Sequence, residues 1–119
     1  MKKTENKFDR DIRENIIEAL ESVVSIPREY WETQRSKRRE EVTIRQIYIY
    51  MLRTHTTQTL QSIAEICGFK YHTSVLRNCE IVDQWIKNPG KYPYQNKIVK
   101  EFYKKYAERS SDVIEAPIG

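Results

Sequence analysis

The sequence contains few residues that interrupt regular structure or cross-link a chain. Only three glycines and four prolines occur among 119 residues, so long helices or strands are expected. The two cysteines, Cys67 and Cys79, and the two histidines, His55 and His72, are too few and too scattered for a disulfide framework or a zinc signature. We therefore expect no metal, no cofactor and no small-molecule substrate, and we interpret both cysteines as small buried apolar residues.

Long apolar runs are also lacking. No stretch approaches the roughly eighteen apolar residues of a membrane-spanning helix, so we expect no membrane partner. The first seven residues are charged and polar and lead into no apolar signal core, which favours a cytoplasmic protein.

Positive charge exceeds negative charge and is clustered. The formal net charge is +4, which is a mild indication of an anionic partner. Residues 66–79 carry two cations, Lys70 and Arg77, and no carboxylate. A second basic cluster covers 35–39, and a third lies in 97–109, where a solvated helix face is the simpler interpretation.

The spacing of apolar residues predicts an all-α protein, a compact bundle of about six helices containing a helix-turn-helix. We expect a disordered N-terminus at 1–7, one domain at 8–109 and a loose tail at 110–119. The predicted helices cover 8–24, 27–34, 41–54, 60–67, 71–87 and 93–109.

The segment 59–77 has the pattern helix, glycine turn, helix. Thr59 is a good N-cap for the first helix, and Gly68 suits the left-handed position that ends it. In a helix-turn-helix the second helix enters the DNA major groove, and its first residues contact base edges. His72, Thr73 and Ser74 place short hydrogen-bonding side chains there, while Lys70 and Arg77 can contact phosphates.

The segments Arg45-Gln46-Ile47, Met51-Leu52-Arg53 and Gly68-Phe69-Lys70-Tyr71-His72-Thr73-Ser74-Val75 resemble the C-terminal DNA-binding domain of the bacterial replication initiator DnaA. The resemblance extends over about 12–109 and implies a helical bundle akin to the Trp-repressor group. It also implies two sets of DNA contacts. The base-contacting positions are His72, Thr73 and Tyr71. The phosphate-contacting positions that it implies are Lys70, Ser74, Arg45 and Gln46. To these we add Arg77 from its charge, and Arg38 and Arg39 from the basic cluster.

Two positions depart from the pattern of that family. Tyr71 stands where the family has an aspartate, and tyrosine neither caps a helix nor accepts from a cytosine amino group in the same way. Thr43 stands where the family has an arginine that enters the minor groove. The DnaA recognition sequence therefore cannot be transferred to this chain. A Gly-x-x-x-x-Gly-Lys-Ser/Thr loop is absent as well, so this sequence carries no P-loop ATPase.

These features predict a non-enzymatic protein of the bacterial cytoplasm, associated with the nucleoid, that binds double-stranded DNA in a sequence-specific manner. Replication initiation control and transcriptional regulation are the expected roles, with a replication or regulatory protein as a further partner. The alternative is a protein-interaction module that keeps the bundle without DNA binding, with Phe69 and Tyr71 forming an apolar contact patch.

Overall fold

The computed structural model describes residues 5–33 and 37–118, with side chains up to residue 109. Five α-helices and one 3₁₀ turn occur in these ranges, without a β-strand, which confirms the all-α prediction. The elements are α1 Lys7–Val24, the 3₁₀ turn Arg28–Tyr30, α2 Arg39–His55, α3 Leu60–Cys67, α4 His72–Lys87 and α5 Pro93–Ile118. The expected six helices are therefore five, since the second is only a turn.

The N-terminal helix α1 is fixed at both ends. The Asn6 side chain accepts a hydrogen bond from the Asp9 N–H at 2.7 Å and caps the first turn. The helix ends at Ser25, which adopts a left-handed conformation with φ 58°. Glu5 accepts from Arg13 Nε at 2.9 Å and from Gln58 Nε2 at 2.7 Å. Residues 5–7 thus belong to the folded domain and not to the predicted disordered N-terminus. Residues 1–4 lie outside the described residues.

The helix predicted at 27–34 is a single 3₁₀ turn. Trp31 ends it, with φ −135°, because its indole is fully buried and its Nε1 donates to the Ile26 carbonyl at 2.9 Å. The Arg28 N–H donates to the Glu21 carboxylate at 2.8 Å, which fixes the start of the turn. Burial of the tryptophan therefore overrides the local helical tendency of this segment.

Helix α2 lies at the centre of the bundle and packs against α1, α3 and α4. Its apolar stripe is buried, with Ile44, Ile47, Tyr48 and Leu52 almost fully enclosed. The Trp31 ring meets the Tyr48 ring edge-on, with centroids 5.4 Å apart. The core of the protein is thus built around α2.

Helix α5 packs along α1 and extends to Ile118, beyond the predicted end near Arg109. No glycine or proline interrupts the sequence between 94 and 116, so no residue there breaks the helix. The side chain of Arg109 forms an ion pair with Glu18 of α1. Asn96 is buried and donates to the Trp85 carbonyl, which joins α5 to the end of α4.

Candidate nucleic-acid interface

Helices α3 and α4 form the predicted helix-turn-helix, and local signals set its corner. Thr59 accepts from the Ser62 N–H at 3.0 Å and begins α3 at the predicted residue. Gly68 has φ 79°, a conformation that costs a residue with a Cβ atom about 1 kcal/mol or more. The Phe69 N–H donates to the Ala64 carbonyl at 2.8 Å and the Gly68 N–H to the Glu65 carbonyl at 3.3 Å, which is a Schellman C-cap.

Helix α4 is held against the bundle by its apolar face. Val75, Cys79, Val82 and Trp85 are buried against neighbouring helices. The side chains of His72 and Thr73, at the first two helical positions, are exposed. We call residues 70–74 the α4 tip. Its polar side chains project from the bundle instead of packing inside it, as groove recognition requires.

The backbone at the start of α4 is available to an anion. Tyr71 occupies the N-cap position in an extended conformation, and its side chain makes no cap hydrogen bond. Only the Ser74 N–H has a local partner there, the Tyr71 carbonyl at 3.1 Å. The first N–H groups of a helix carry partial positive charge, and the first turn of α4 contains no acidic residue. This helix end is therefore electrostatically suited to a phosphate.

Two exposed cations lie on this face of the protein. Lys70 is the first residue of the α4 tip, with Nζ 5.4 Å from the centroid of the Tyr71 ring, and Arg77 lies one turn into α4. Among the described residues neither cation forms an ion pair with a carboxylate. Ser74 is half-buried beside them. In the described part of the chain, no carboxylate thus pairs with the positive charge on this face.

The predicted phosphate contacts on α2 are placed differently. Arg45 is only 4% exposed, and its Nε donates to the carbonyls of Trp31 at 3.2 Å and Thr33 at 2.9 Å. Burial lowers the pKa of this guanidinium. Arg45 therefore joins the segment after the 3₁₀ turn to α2 instead of presenting its charge to solvent. Gln46 beside it is half-buried.

Arg38 and Arg39, from the second basic cluster, are exposed at the start of α2. Arg38 is the N-cap residue, and the Arg39 carbonyl accepts from the Thr43 hydroxyl at 2.9 Å. Residues 35 and 36 of that cluster lie outside the described residues. The structure thus brings Lys70, Tyr71, His72, Thr73, Ser74 and Arg77 together, while Arg38, Arg39, Arg45 and Gln46 lie on the first half of α2.

One residue that positions this site has no obvious signal in the sequence. Asp9 of α1 is 2% exposed. Its Oδ1 accepts from the Thr57 N–H at 2.9 Å, and its Oδ2 accepts from the Thr57 hydroxyl at 2.7 Å. Thr57 lies in the link between α2 and α3, so Asp9 fixes the approach to the helix-turn-helix. An N-terminal aspartate is ordinarily interpreted as a helix-dipole residue, and the partner 48 residues away is visible only in the structure.

The cysteines are buried, as predicted, and both are free thiols. Burial raises the pKa of Cys67 to about 12 and also raises the pKa of Cys79. In the described part of the chain no group of three His, Cys, Asp or Glu side chains is arranged to hold a metal ion. None of the helices in that part is long and apolar enough to cross a membrane.

Comparison with known proteins identifies the family. The model for the bacterial dnaA protein helix-turn-helix matches residues 13–82, which include the whole corner and the α4 tip. The chain belongs to this family. The matched family is a helix-turn-helix family, and in this motif the second helix enters the DNA major groove.

Two curated relatives are similar to parts of this chain. The chromosomal replication initiator protein DnaA of Picosynechococcus sp. is 45% identical over 49 residues, which cover 41% of this chain and 11% of the relative. The protein of the same name from Synechocystis sp. is 31% identical over 77 residues, which cover 60% of this chain and 17% of the relative. This chain therefore spans only a small part of the length of these relatives. No solved structure matches it.

Proposed function

We propose that this protein binds double-stranded DNA in a sequence-specific manner through the α4 tip. The observation that carries the proposal is the combination of exposed His72 and Thr73 side chains with an uncapped helix N-terminus, on a helix whose other face is buried. Membership of the dnaA helix-turn-helix family supports the same assignment. Such a helix end can enter a major groove while the bundle remains outside it.

The contacts divide into two groups by chemistry. The imidazole of His72, the hydroxyl of Thr73 and the ring of Tyr71 are proposed to contact base edges, where sequence is read. Phosphate contacts set the orientation of the protein on the duplex without reading sequence. For these we propose Lys70, Ser74, Arg77, Gln46, Arg38 and Arg39. Arg45 is proposed to act indirectly, by fixing the segment before α2.

The biological role that we propose is control of replication initiation or of transcription in the bacterial cytoplasm, at the nucleoid. The two curated relatives are named chromosomal replication initiator proteins, which favours replication. A replication or regulatory protein is the further partner that we propose.

The alternative function is a protein-interaction module, based on an apolar patch of Phe69 and Tyr71. The arrangement of the two rings argues against it. Phe69 is partly buried and packs against the core, so only Tyr71 contributes a large exposed apolar surface at this corner. A single exposed aromatic side chain is not the contiguous apolar patch that marks a protein-binding surface.

Selection of bound duplexes from a random pool at low salt tests the proposal, followed by affinity measurements on the selected sequence. The H72A/T73A variant should lose discrimination between selected and random duplex more than total affinity. The K70A and R77A variants should weaken binding to all sequences, and each should reduce the slope of log K against log salt by about 0.9.

The matched control is K87A. Lys87 lies at the opposite end of α4, where it pairs with Asp83, so its loss should leave both specificity and the salt slope unchanged. Failure to recover any duplex from the pool, with a protein whose circular dichroism shows an intact helical fold, would overturn the proposed function and favour the protein-interaction alternative.

A further inference from the structure

Tyr71 is an unusual surface residue for its position. It is 60% exposed, whereas the aromatic side chains of Trp31, Tyr48 and Phe102 are fully buried. Among the described residues no other aromatic ring packs against it. Phe8, Tyr30 and Tyr94 are comparably exposed, but only Tyr71 lies directly beside the exposed His72 and Thr73.

Two interactions restrain Tyr71, one at its backbone and one at its ring. The Tyr71 carbonyl accepts from the Ser74 N–H at 3.1 Å, which fixes the Tyr71 backbone relative to the first turn of α4. The Lys70 ammonium lies over the ring, 5.4 Å from its centroid, within cation–π range. A ring restrained in this way loses less conformational freedom when it meets a ligand.

We propose that Tyr71 is a specificity-determining residue that contacts the 5-methyl group of thymine in the major groove. This inference rests on the proposed function and adds the chemical group that one residue recognises. Bases in an intact duplex are stacked, so an aromatic side chain entering the major groove meets their edges and not their faces. Of the four bases only thymine presents an apolar group there.

The hydroxyl is not needed for this contact. The other exposed groups of the α4 tip, imidazole, hydroxyl and ammonium, are polar groups able to form hydrogen bonds or ion pairs, so the ring of Tyr71 is the one large apolar surface among residues 70–74. The division of labour that follows is hydrogen-bond recognition by His72 and Thr73, and methyl recognition by Tyr71. The contact then depends on the ring, which phenylalanine supplies equally well.

Removal of single methyl groups from the DNA tests the inference. The duplex recovered by selection is resynthesised with deoxyuridine in place of one thymidine at a time, and its affinity is measured. Wild-type protein should bind about fourfold more weakly when one particular methyl is missing, the effect of one buried methyl group. The Y71F variant should show the same loss. The Y71A variant should bind the unmodified duplex more weakly and should be insensitive to the substitution.

The matched control is Y94A, since Tyr94 is 52% exposed on α5 and is away from the α4 tip. It should retain the wild-type sensitivity to deoxyuridine. Three results would overturn the inference: wild-type protein indifferent to every substitution, Y71A retaining the full loss, or Y71F behaving like Y71A. In each of these cases the proposed function survives if H72A/T73A still loses discrimination. Failure to recover any duplex would overturn both.

Discussion

The hydrogen bonds between Asp9 and Thr57 provide the sharpest test of how this fold supports its site. Asp9→Ala removes both acceptors, which the Thr57 N–H and hydroxyl use at 2.9 and 2.7 Å. A hydrogen bond to a charged group contributes about 1.5–3 kcal/mol. Thr57 is itself exposed, so water can replace part of this loss and the lower end of the range applies to each bond.

We therefore expect Asp9→Ala to lower the free energy of unfolding by about 3 kcal/mol, close to twice the lower bound for one such bond. Thr57→Val removes the hydroxyl and keeps the N–H, so it should lower the free energy of unfolding by about 1.5 kcal/mol, the lower bound for one such bond. Urea unfolding followed by far-ultraviolet circular dichroism measures both. The double variant should cost less than the sum of the two single variants, because both remove the same hydroxyl contact.

Asp11→Ala is the matched control. Asp11 lies two residues further along α1 and forms an exposed ion pair with Lys7, which contributes little to stability. A loss for Asp9→Ala no larger than the loss for Asp11→Ala would refute the argument that Asp9 fixes the link before α3. An additive double variant would refute the shared contact.

Three further predictions concern the corner, α2 and the end of α2. Gly68→Ala should lower the free energy of unfolding by about 1 kcal/mol, because Gly68 has a positive φ. Gly90→Ala should lower it by less, since an added Cβ there meets no atom within 4 Å. Thermal unfolding of the two variants measures the difference. Arg45→Ala should lower the free energy of unfolding by about 2 kcal/mol, because the carbonyls of residues 31 and 33 lose their hydrogen-bond donor. If stability is unchanged and the salt dependence of DNA binding becomes flatter, Arg45 is instead a phosphate contact. Burial lowers the pKa of His55, so the unfolded chain takes up a proton there before the folded protein does. The free energy of unfolding should therefore fall as pH drops below about 6.5, and it should continue to fall until pH is below the lowered pKa of His55 in the folded state. The His55→Gln variant should lack this part of the pH dependence.

The sequence predicts the fold best where the determinants are local. The bounds of α3 follow from Thr59 and Gly68, because a cap and a left-handed glycine act within one turn of the helix that they end. The segment 27–33 could not be predicted in this way. Its conformation depends on the burial of Trp31 against Tyr48, a contact between residues of different elements that helical spacing does not reveal.

In the candidate site, too, some features follow from local sequence and others do not. Exposure of His72 and Thr73 follows from their place at the start of an amphipathic helix, which the apolar spacing of Val75, Cys79 and Val82 defines. The position of Arg45 does not follow from the sequence. Its resemblance to a family position suggested a phosphate contact, but its Nε donates to the backbone carbonyls of residues 31 and 33, which no side-chain pattern indicates.

Helix α4 is fixed to the bundle at both ends. The residues that attach it differ from those proposed to contact DNA, so a substitution should change either folding stability or DNA recognition. At its start the Gly68 corner and the buried Val75 set its direction, and at its end Asn96 donates to the Trp85 carbonyl. Exposed His72 and Thr73 contribute to neither attachment, so the H72A/T73A variant should change unfolding free energy by less than about 0.5 kcal/mol. The Asn96→Ala variant should instead lower the free energy of unfolding and select the same DNA sequence as the wild-type protein. Under the proposed function, a helix that is rigid before binding loses little conformational freedom on the duplex, so we expect discrimination between bases to depend on the side chains of the α4 tip.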